Sequence, residues 1–412
     1  MSTAIYLNTA RLGLMLPRVQ RLYGDFLKFT GDEVSSLYFD KFIYFGFESL
    51  PNKIQKIYPF LSDWKGISNF KKSLKSILSV PLYATTDAKI LLANRSCQLM
   101  KLGANLLFLK SPKVLTTDLE WPQYKAILKQ QKEFLGGKIK TVDLRSFILE
   151  DNCTREDLIS RVISAYDKYD CDGLFISHIT FEGFRLPVED IVKIITSQKK
   201  KPSFVVVDGS QSFSHSPLNI LEYSDFYITG CHKWLRAWHP MGLAFCSQSN
   251  SVEFITTIYR QMLEKGKLDD PLLNFTNQLE LGSNSAFTET VNLNSLFSAA
   301  AAVANILEGN QSMEQKFKKL VEQVEKLEAV SINYHWTPLV KNDSLKSGIG
   351  LIKSTKPSIR ALTPKQLRAS FQSHGIDLTA YGKGIIRISA PIKELDINDY
   401  KLFHKALDFC HS

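Results

Sequence analysis

The sequence predicts an α/β protein: a mainly parallel sheet with helices on both faces, followed by a smaller α+β lobe. Two observations carry this expectation. Short apolar runs, among them DGLFISHI (172–179), SFVVVDG (203–209), DFYITG (225–230) and GLAFCS (242–247), have strand length and little polar alternation, as strands covered on both faces do. Helical patterns separate several of these runs, as VEDIVKIITSQ (188–198) does, and strands alternating with helices build parallel sheets. At 412 residues the chain is long enough for a sizeable core and two structural lobes.

In order along the chain, residues 1–30 carry a short strand signal and then a helix. The next stretch, GDEVSSLYFDKFIYFGFESL (31–50), is rich in aromatics that keep no single period. It reads as a packed loop or subunit contact, or else as the wall of a substrate pocket. Helical patterns follow at 66–78 and 87–102; NLLFLK (105–110) and KVLTT (113–117) then read as strands, and 122–135 as a helix. Beyond about residue 255 the pattern turns helical, with SAAAAVANILEG (298–309) a tightly packed helix, and strands return near 347–353 and 384–389. The expected division is an N-terminal arm over 1–50, a large α/β domain over 51–265 and a small α+β domain over 266–412.

Composition narrows the function classes. A formal net charge of +10 invites a nucleic-acid reading, but the lysines are scattered. The densest cluster, Lys199-Lys200-Lys201, follows a helical pattern and precedes Pro202, as a solvated helix end does. The six cysteines form no CxxC pair, so neither a metal site nor a disulfide framework is expected. No basic segment followed by an apolar core opens the chain, and no apolar run reaches about 18 residues. The expected compartment is therefore the reducing cytoplasm.

The chemistry concentrates at strand ends. Asp208 closes one apolar run and Lys233 lies just past another, where open α/β sheets bind ligands. Taken alone, the two also suit a structural ion pair. A third feature is Thr85-Thr86-Asp87 within YATTDAKILLANRSC, read as the opening of the helix at 87–102. Such residues cap helices, and free amides at a helix N-terminus also seat phosphate. An anion seat, an acid and a lysine together suit pyridoxal phosphate. That cofactor needs an amine for a Schiff base, a carboxylate for its ring nitrogen and fixed donors for its phosphate.

DGSQ followed by DFYITGCHKWL resembles the core of the class V aminotransferases, a family of fold-type I pyridoxal-phosphate enzymes that includes cysteine desulfurases, kynureninase and isopenicillin N epimerase-like proteins. The resemblance runs from YLNTARLGLMLP (6–17) through ATTDA, TTDLEWPQY, ISHIT and LELGSNS to GIIRIS (384–389). It implies a Schiff base on Lys233, which afterwards shuttles protons. Asp208 would face the ring nitrogen, Gln211 the phenolic oxygen, and the small Ser210 would let the ring lie close. His232, Thr85 and Thr86 would hold the phosphate, joined by Ser283 from the neighbouring subunit of a homodimer. Trp121 would stack on the ring, and Arg387 would grip the substrate carboxylate with its planar fork.

The chain departs from the family in three places. The stretch SHGIDLTAYGKG (373–384) lacks the cysteine that desulfurases carry there, which argues against persulfide chemistry through that loop. Cys231, two residues from Lys233, reads as packing. Phe181 and then Glu182 and Arg185 follow SHIT, where the family often has a small residue or asparagine. Arg11 replaces a small residue of the substrate-proximal segment; it either reads a second acidic group or lies on the surface. What the resemblance implies is an enzyme acting on an amino acid through an external aldimine and an α-carbanion, with transamination as the leading outcome. Elimination or epimerisation by the same first steps is the alternative, and a cofactor-binding homologue without turnover is the other class. Neither nucleic acid nor membrane is an expected partner.

Overall fold

The computed structural model describes residues 5–33, 36–78, 88–150, 153–197, 202–246, 248–282 and 289–409. Its strands are β1 (Ile5–Tyr6), β2 (Lys89–Ala93), β3 (Lys113–Thr117), β4 (Lys138–Val142), β5 (Gly173–Ser177), β6 (Phe204–Asp208), β7 (Phe226–Gly230), β8 (Gly242–Cys246), β9 (Trp336–Pro338), β10 (Ile349–Ser354), β11 (Ile376–Asp377), β12 (Thr379–Ala380) and β13 (Ile385–Ser389). Seven of them form one sheet in the order β2-β8-β7-β6-β5-β3-β4. Strands β3 to β7 pair in parallel, whereas β8 is antiparallel to both β7 and β2. Strand β2 therefore points the same way as β7, and every strand except β8 ends at one edge.

Strands β5 to β8 are buried along their whole length. Their side chains alternate between two cores, as a period of two requires. Phe175 and Val206 face the helices Ser96–Lys110, Pro122–Leu135 and Ser249–Glu264. Leu174, Ile176, Val205 and Val207 face the helices Arg155–Lys168 and Val188–Ser197. The expected α/β class is borne out.

A four-stranded antiparallel sheet, β12-β13-β10-β9, forms the second layer system, and a two-stranded parallel pair joins β1 to β11. The N-terminal strand is thus stitched to residues 376–377, far along the chain. Helix Asn294–Leu307 is tightly packed, as its alanines lead one to expect: Ala299, Ala301 and Ala302 are fully buried. Its Phe297 meets Phe26 on helix Pro17–Asp32 and the indole of Trp64, with ring centroids 4.6 Å and 4.8 Å apart. Among the described residues, no helix is long and apolar enough to cross a membrane.

Three local expectations are corrected. The segment expected as a helix over 87–102 contains strand β2, and the helix begins at Ser96. NLLFLK is not a strand but the end of that same helix. Helix Ser96–Lys110 is buried from Leu99 to Phe108 with one exception, Lys101, so its apolar residues form no single stripe. A helix buried on nearly all sides reads like a buried strand. The aromatic stretch is likewise a helix, Ser36–Phe45, whose Phe42 packs on Phe29 and Phe297. None of residues 39–47 lines the cavity described below. Strand β4 escapes the sequence because its KIKTV pattern is that of a charged edge strand.

Candidate active site

The shared C-terminal edge of the parallel strands opens into a cavity of about 1050 Å³, room for a cofactor and an amino acid together. Strand β6 delivers Asp208 to its floor, 5 % exposed. The chain then turns at Gly209, where a Cβ would lie 2.1 Å from the hydroxyl of Tyr227, so only glycine fits under that ring. The turn aims the Ser210 amide at Asp208 Oδ1, 2.8 Å away. Burial pushes the Asp208 carboxyl above its ordinary range, while Ser210 and the charge of Lys233 pull it back.

Lys233 sits in a tight loop after β7. Cys231 N–H donates to Met241 O at 2.9 Å, and Arg236 N–H to Lys233 O at 3.1 Å. Arg236 and Trp238 adopt left-handed φ of 61° and 65°, a conformation that costs non-glycine residues energy. The N-terminal segment lies directly on this loop: Gly13 N–H donates to His232 O at 2.8 Å, and a Cβ on Gly13 would stand 2.0 Å from Lys233 O. Burial lowers the Lys233 amine to about 8; Asp208 opposes the shift and Arg387 adds to it. A lysine so placed is neutral in an appreciable fraction near physiological pH.

The same segment joins the two sheets at the site. Gln211 Nε2 donates to Ala10 O at 2.8 Å, and its Oε1 accepts from Trp234 Nε1 at 2.9 Å. One amide hydrogen of Gln211 is left for the cavity that it lines. Ala10 N–H in turn donates to Ser389 Oγ at 3.0 Å, at the end of β13. Arg387 lies on that strand, 6 % exposed, with Nη1 on Phe181 O at 2.7 Å and Nη2 on Thr379 Oγ1 at 3.3 Å. Among the described residues no carboxylate pairs with it.

Trp121 caps helix Pro122–Leu135, 43 % exposed and edge-on to Tyr124, and it lines the cavity. His232 lines it too; burial and the neighbouring Lys233 charge lower the imidazole to about 4, so the ring is neutral at pH 7. Ser210 and the exposed Arg11 complete the expected residues present. Phe181 borders the cavity, whereas Arg185 does not; its guanidinium lies over the Phe317 ring, 4.8 Å from the centroid. Thr85, Thr86 and Ser283 lie outside the described residues.

Several functional candidates were missed by sequence reasoning. Asn94, Arg95, Ser96 and Cys97 line the cavity where helix Ser96–Lys110 begins. The Asn94 and Arg95 amides donate to Asp270 and Gln98 N–H donates to Arg95 O, so among the described residues the Ser96 and Cys97 amides are the first-turn donors left to suit an anion. The available signal was the apolar run Ile90–Ala93 followed at once by polar Asn-Arg-Ser, a strand–turn–helix pattern. Tyr124 contributes a buried hydroxyl close to Ser96 and Ser210. Glu120, fully buried, lies under Asp208. Its Oε1 accepts from Thr117 Oγ1 at 2.8 Å and from Ser177 N–H at 3.2 Å, and its Oε2 is 2.5 Å from Ser177 Oγ.

Pyridoxal phosphate fits this donor set. The cavity holds an amine, a buried acid and a helix N-terminus. His232 Nδ1 and Arg387 Nε are buried atoms with no hydrogen-bond partner among the described residues, the state expected of groups that wait for a ligand.

Comparison with known proteins agrees. The family model described as Aminotransferase class-V matches residues 95–334. Among curated proteins, an L-cysteine desulfhydrase-like protein of Epichloe uncinata is 25% identical over 104 residues, 24% of this chain and 22% of that protein. The curated relatives are thus matched over about a fifth of their length or less. Among solved structures, ureidoglycine–glyoxylate aminotransferase from Bacillus subtilis superposes with a TM-score of 0.67 at 14% identity, covering 100% of this chain and 92% of that one. A NifS-like protein from Rickettsia africae gives 0.64 at 14%, covering 99% of both chains. A mutant of C-DES with glycine covalently linked to its PLP cofactor gives 0.66 at 13%, covering 98% and 96%. At such identities these likenesses speak for the fold.

Proposed function

The chain belongs to the class-V aminotransferase family, whose enzymes use pyridoxal phosphate, and on that premise we propose that it transfers the amino group of an amino acid to a keto acid. One observation carries the reading: Lys233, Asp208 and Arg387 line a single cavity although they come from two different sheets. When bound, the cofactor supplies an aldehyde for the lysine and an electron sink that acidifies the substrate α-carbon.

Each residue has a physical task. Lys233, lowered to about 8, is the amine that would hold the cofactor; once released, its Nζ would take the α-proton and carry it away from the α-carbon, as transfer of the amino group requires. Asp208 offers the ring nitrogen a negative charge in a poorly solvated place. The first-turn amides at Ser96 and Cys97, with His232 and Tyr124, hold the phosphate. Trp121 covers one ring face, and Ser210 leaves room on the other. Gln211 gives its free amide hydrogen to the phenolic oxygen. Arg387, which has no carboxylate in direct contact among the described residues although Glu182 lies near enough to favour its charge, binds the substrate carboxylate at two points. Arg11, at the cavity mouth, reads a second acidic group. We further propose a homodimer in which the partner copy completes the phosphate seat with Ser283; sizing in solution tests the dimer.

Elimination is the second reading, favoured because both curated relatives carry the name L-cysteine desulfhydrase-like. Product analysis separates the two. Labelled amino nitrogen recovered in the amino acid formed from an added keto acid supports transfer. Ammonia, a thiol and pyruvate released with no keto acid added overturn transfer in favour of elimination.

A further inference from the structure

Behind Asp208 the Ser177 hydroxyl bonds to Glu120 and lies near enough to Asp208 to favour that carboxylate's charge. Ser177 ends strand β5 directly opposite Asp208 in the β5–β6 register. On its other side Ser177 Oγ is 2.5 Å from Glu120 Oε2. All three residues are buried. A hydroxyl has one proton and donates it to one acceptor. If Glu120 were ionised, Ser177 would donate to it and Asp208 would lose that donor, with a second negative charge close by. A neutral Glu120 reverses the chain: its O–H donates to Ser177 Oγ, and Ser177 O–H donates to Asp208.

The surroundings favour the second arrangement. Among the described residues no cation faces Glu120. Its neighbours are Thr117, Ser177 and the charge of Asp208, whereas Asp208 faces Lys233, Ser210 and the Tyr124 hydroxyl. An unpaired carboxylate is costly to bury, and neutralisation is the usual remedy. Burial accordingly raises the Glu120 carboxyl to about 7, against the pull of Ser177 and Thr117.

We propose that Glu120 is a positioning residue, held as the neutral acid, that directs the Ser177 proton onto Asp208 and so keeps Asp208 ionised. The inference rests on the assignment of Asp208 to the cofactor's ring nitrogen. Holding a proton on that nitrogen puts the negative end of the pair on Asp208, next to Glu120. That is favourable while Glu120 is neutral and less so once it is charged. Glu120 is neutral at low pH and ionises as pH rises, so ring-nitrogen protonation declines on the alkaline side.

Two measurements test this. In the apoprotein, infrared spectra at about pH 6 should contain a protonated-carboxyl band that fades over about two pH units centred near 7. Glu328, also raised to about 7, contributes a similar band, so the difference between wild type and Glu120→Gln isolates the relevant one. Absence of a Glu120 band at about pH 6 overturns the proposal. In the holoprotein, the nitrogen-15 shift of ring-labelled cofactor should move toward the unprotonated value as pH rises. Glu120→Gln, whose amide still donates to Ser177, should hold the protonated value across the range, and Ser177→Ala should displace it at every pH. A Glu120→Gln protein that follows the wild-type course overturns the relay alone. If Asp208→Asn leaves the shift unchanged, the Asp208 assignment falls, and the relay with it.

Discussion

The two ends of the cavity are built on different terms. At the inner end, Asp208, Gly209, Ser210, Gln211 and Lys233 come from 26 consecutive positions of one sheet, locked by short hydrogen bonds and by a glycine that fits beneath Tyr227. At the outer end, Arg387, Thr379 and Tyr381 come from a second sheet more than 140 positions later. They are tied to the first by Phe181 O and by the N-terminal segment, which touches Gln211, Ser389 and the Lys233 loop. On the roles proposed above, the difference teaches that cofactor chemistry would be written into a compact local unit, while substrate recognition would depend on how two sheets are held together.

Substitutions at the two ends should therefore fail differently. The largest effect is expected at Lys233→Ala, which removes both the proposed attachment point and the proposed proton carrier. Turnover should fall by about 10⁴-fold or more, and borohydride should no longer fix cofactor to the chain. Arg387→Ala should lower kcat/KM by about 10²- to 10³-fold, the cost of stripping a buried charge from its partner, with cofactor affinity nearly unchanged. Equal loss of both would break the distinction between the ends.

The joining segment gives a sharper case. Gly13→Ala puts a methyl group into Lys233 O, so cofactor retention and turnover should both drop by roughly 10- to 100-fold; chromatographic retention of the cofactor reads the first. Cofactor uptake by the apoprotein should next follow the Lys233 amine. That group is depressed to about 8 by burial, so its reactive neutral form is scarce at low pH. The uptake rate should climb roughly tenfold per pH unit from about 6 toward 8, then flatten. The smallest effect is expected at Arg11→Ala. Exposed and solvent-screened, it should cost less than about threefold with a monoacidic amino acid and several times more with a diacidic one.

Much of the inner end was legible in the sequence. Asp208 and Lys233 announce themselves because each closes or follows a short, fully apolar strand, and a local pattern of that kind survives without tertiary context. The helix start beside the cavity was misplaced for the opposite reason. Helix Ser96–Lys110 is apolar on nearly every side, so its start could not be read from amphipathicity, and the helix was expected over 87–102 instead. Glu120 was overlooked because one glutamate before a helix looks like a solvated first-turn acid; its burial arises only when β3 and β5 close over it.

By itself the sequence determined the alternation of strands and helices, the acid and the amine at their ends, and hence the cofactor, because each is coded by near neighbours in the chain. Tertiary structure decided which helix points its free amides at the cavity, which carboxyl is deprived of water, and that Gly13 must be bare beside residue 233. These depend on desolvation and on contact between distant segments, and neither exists until the sheets have packed.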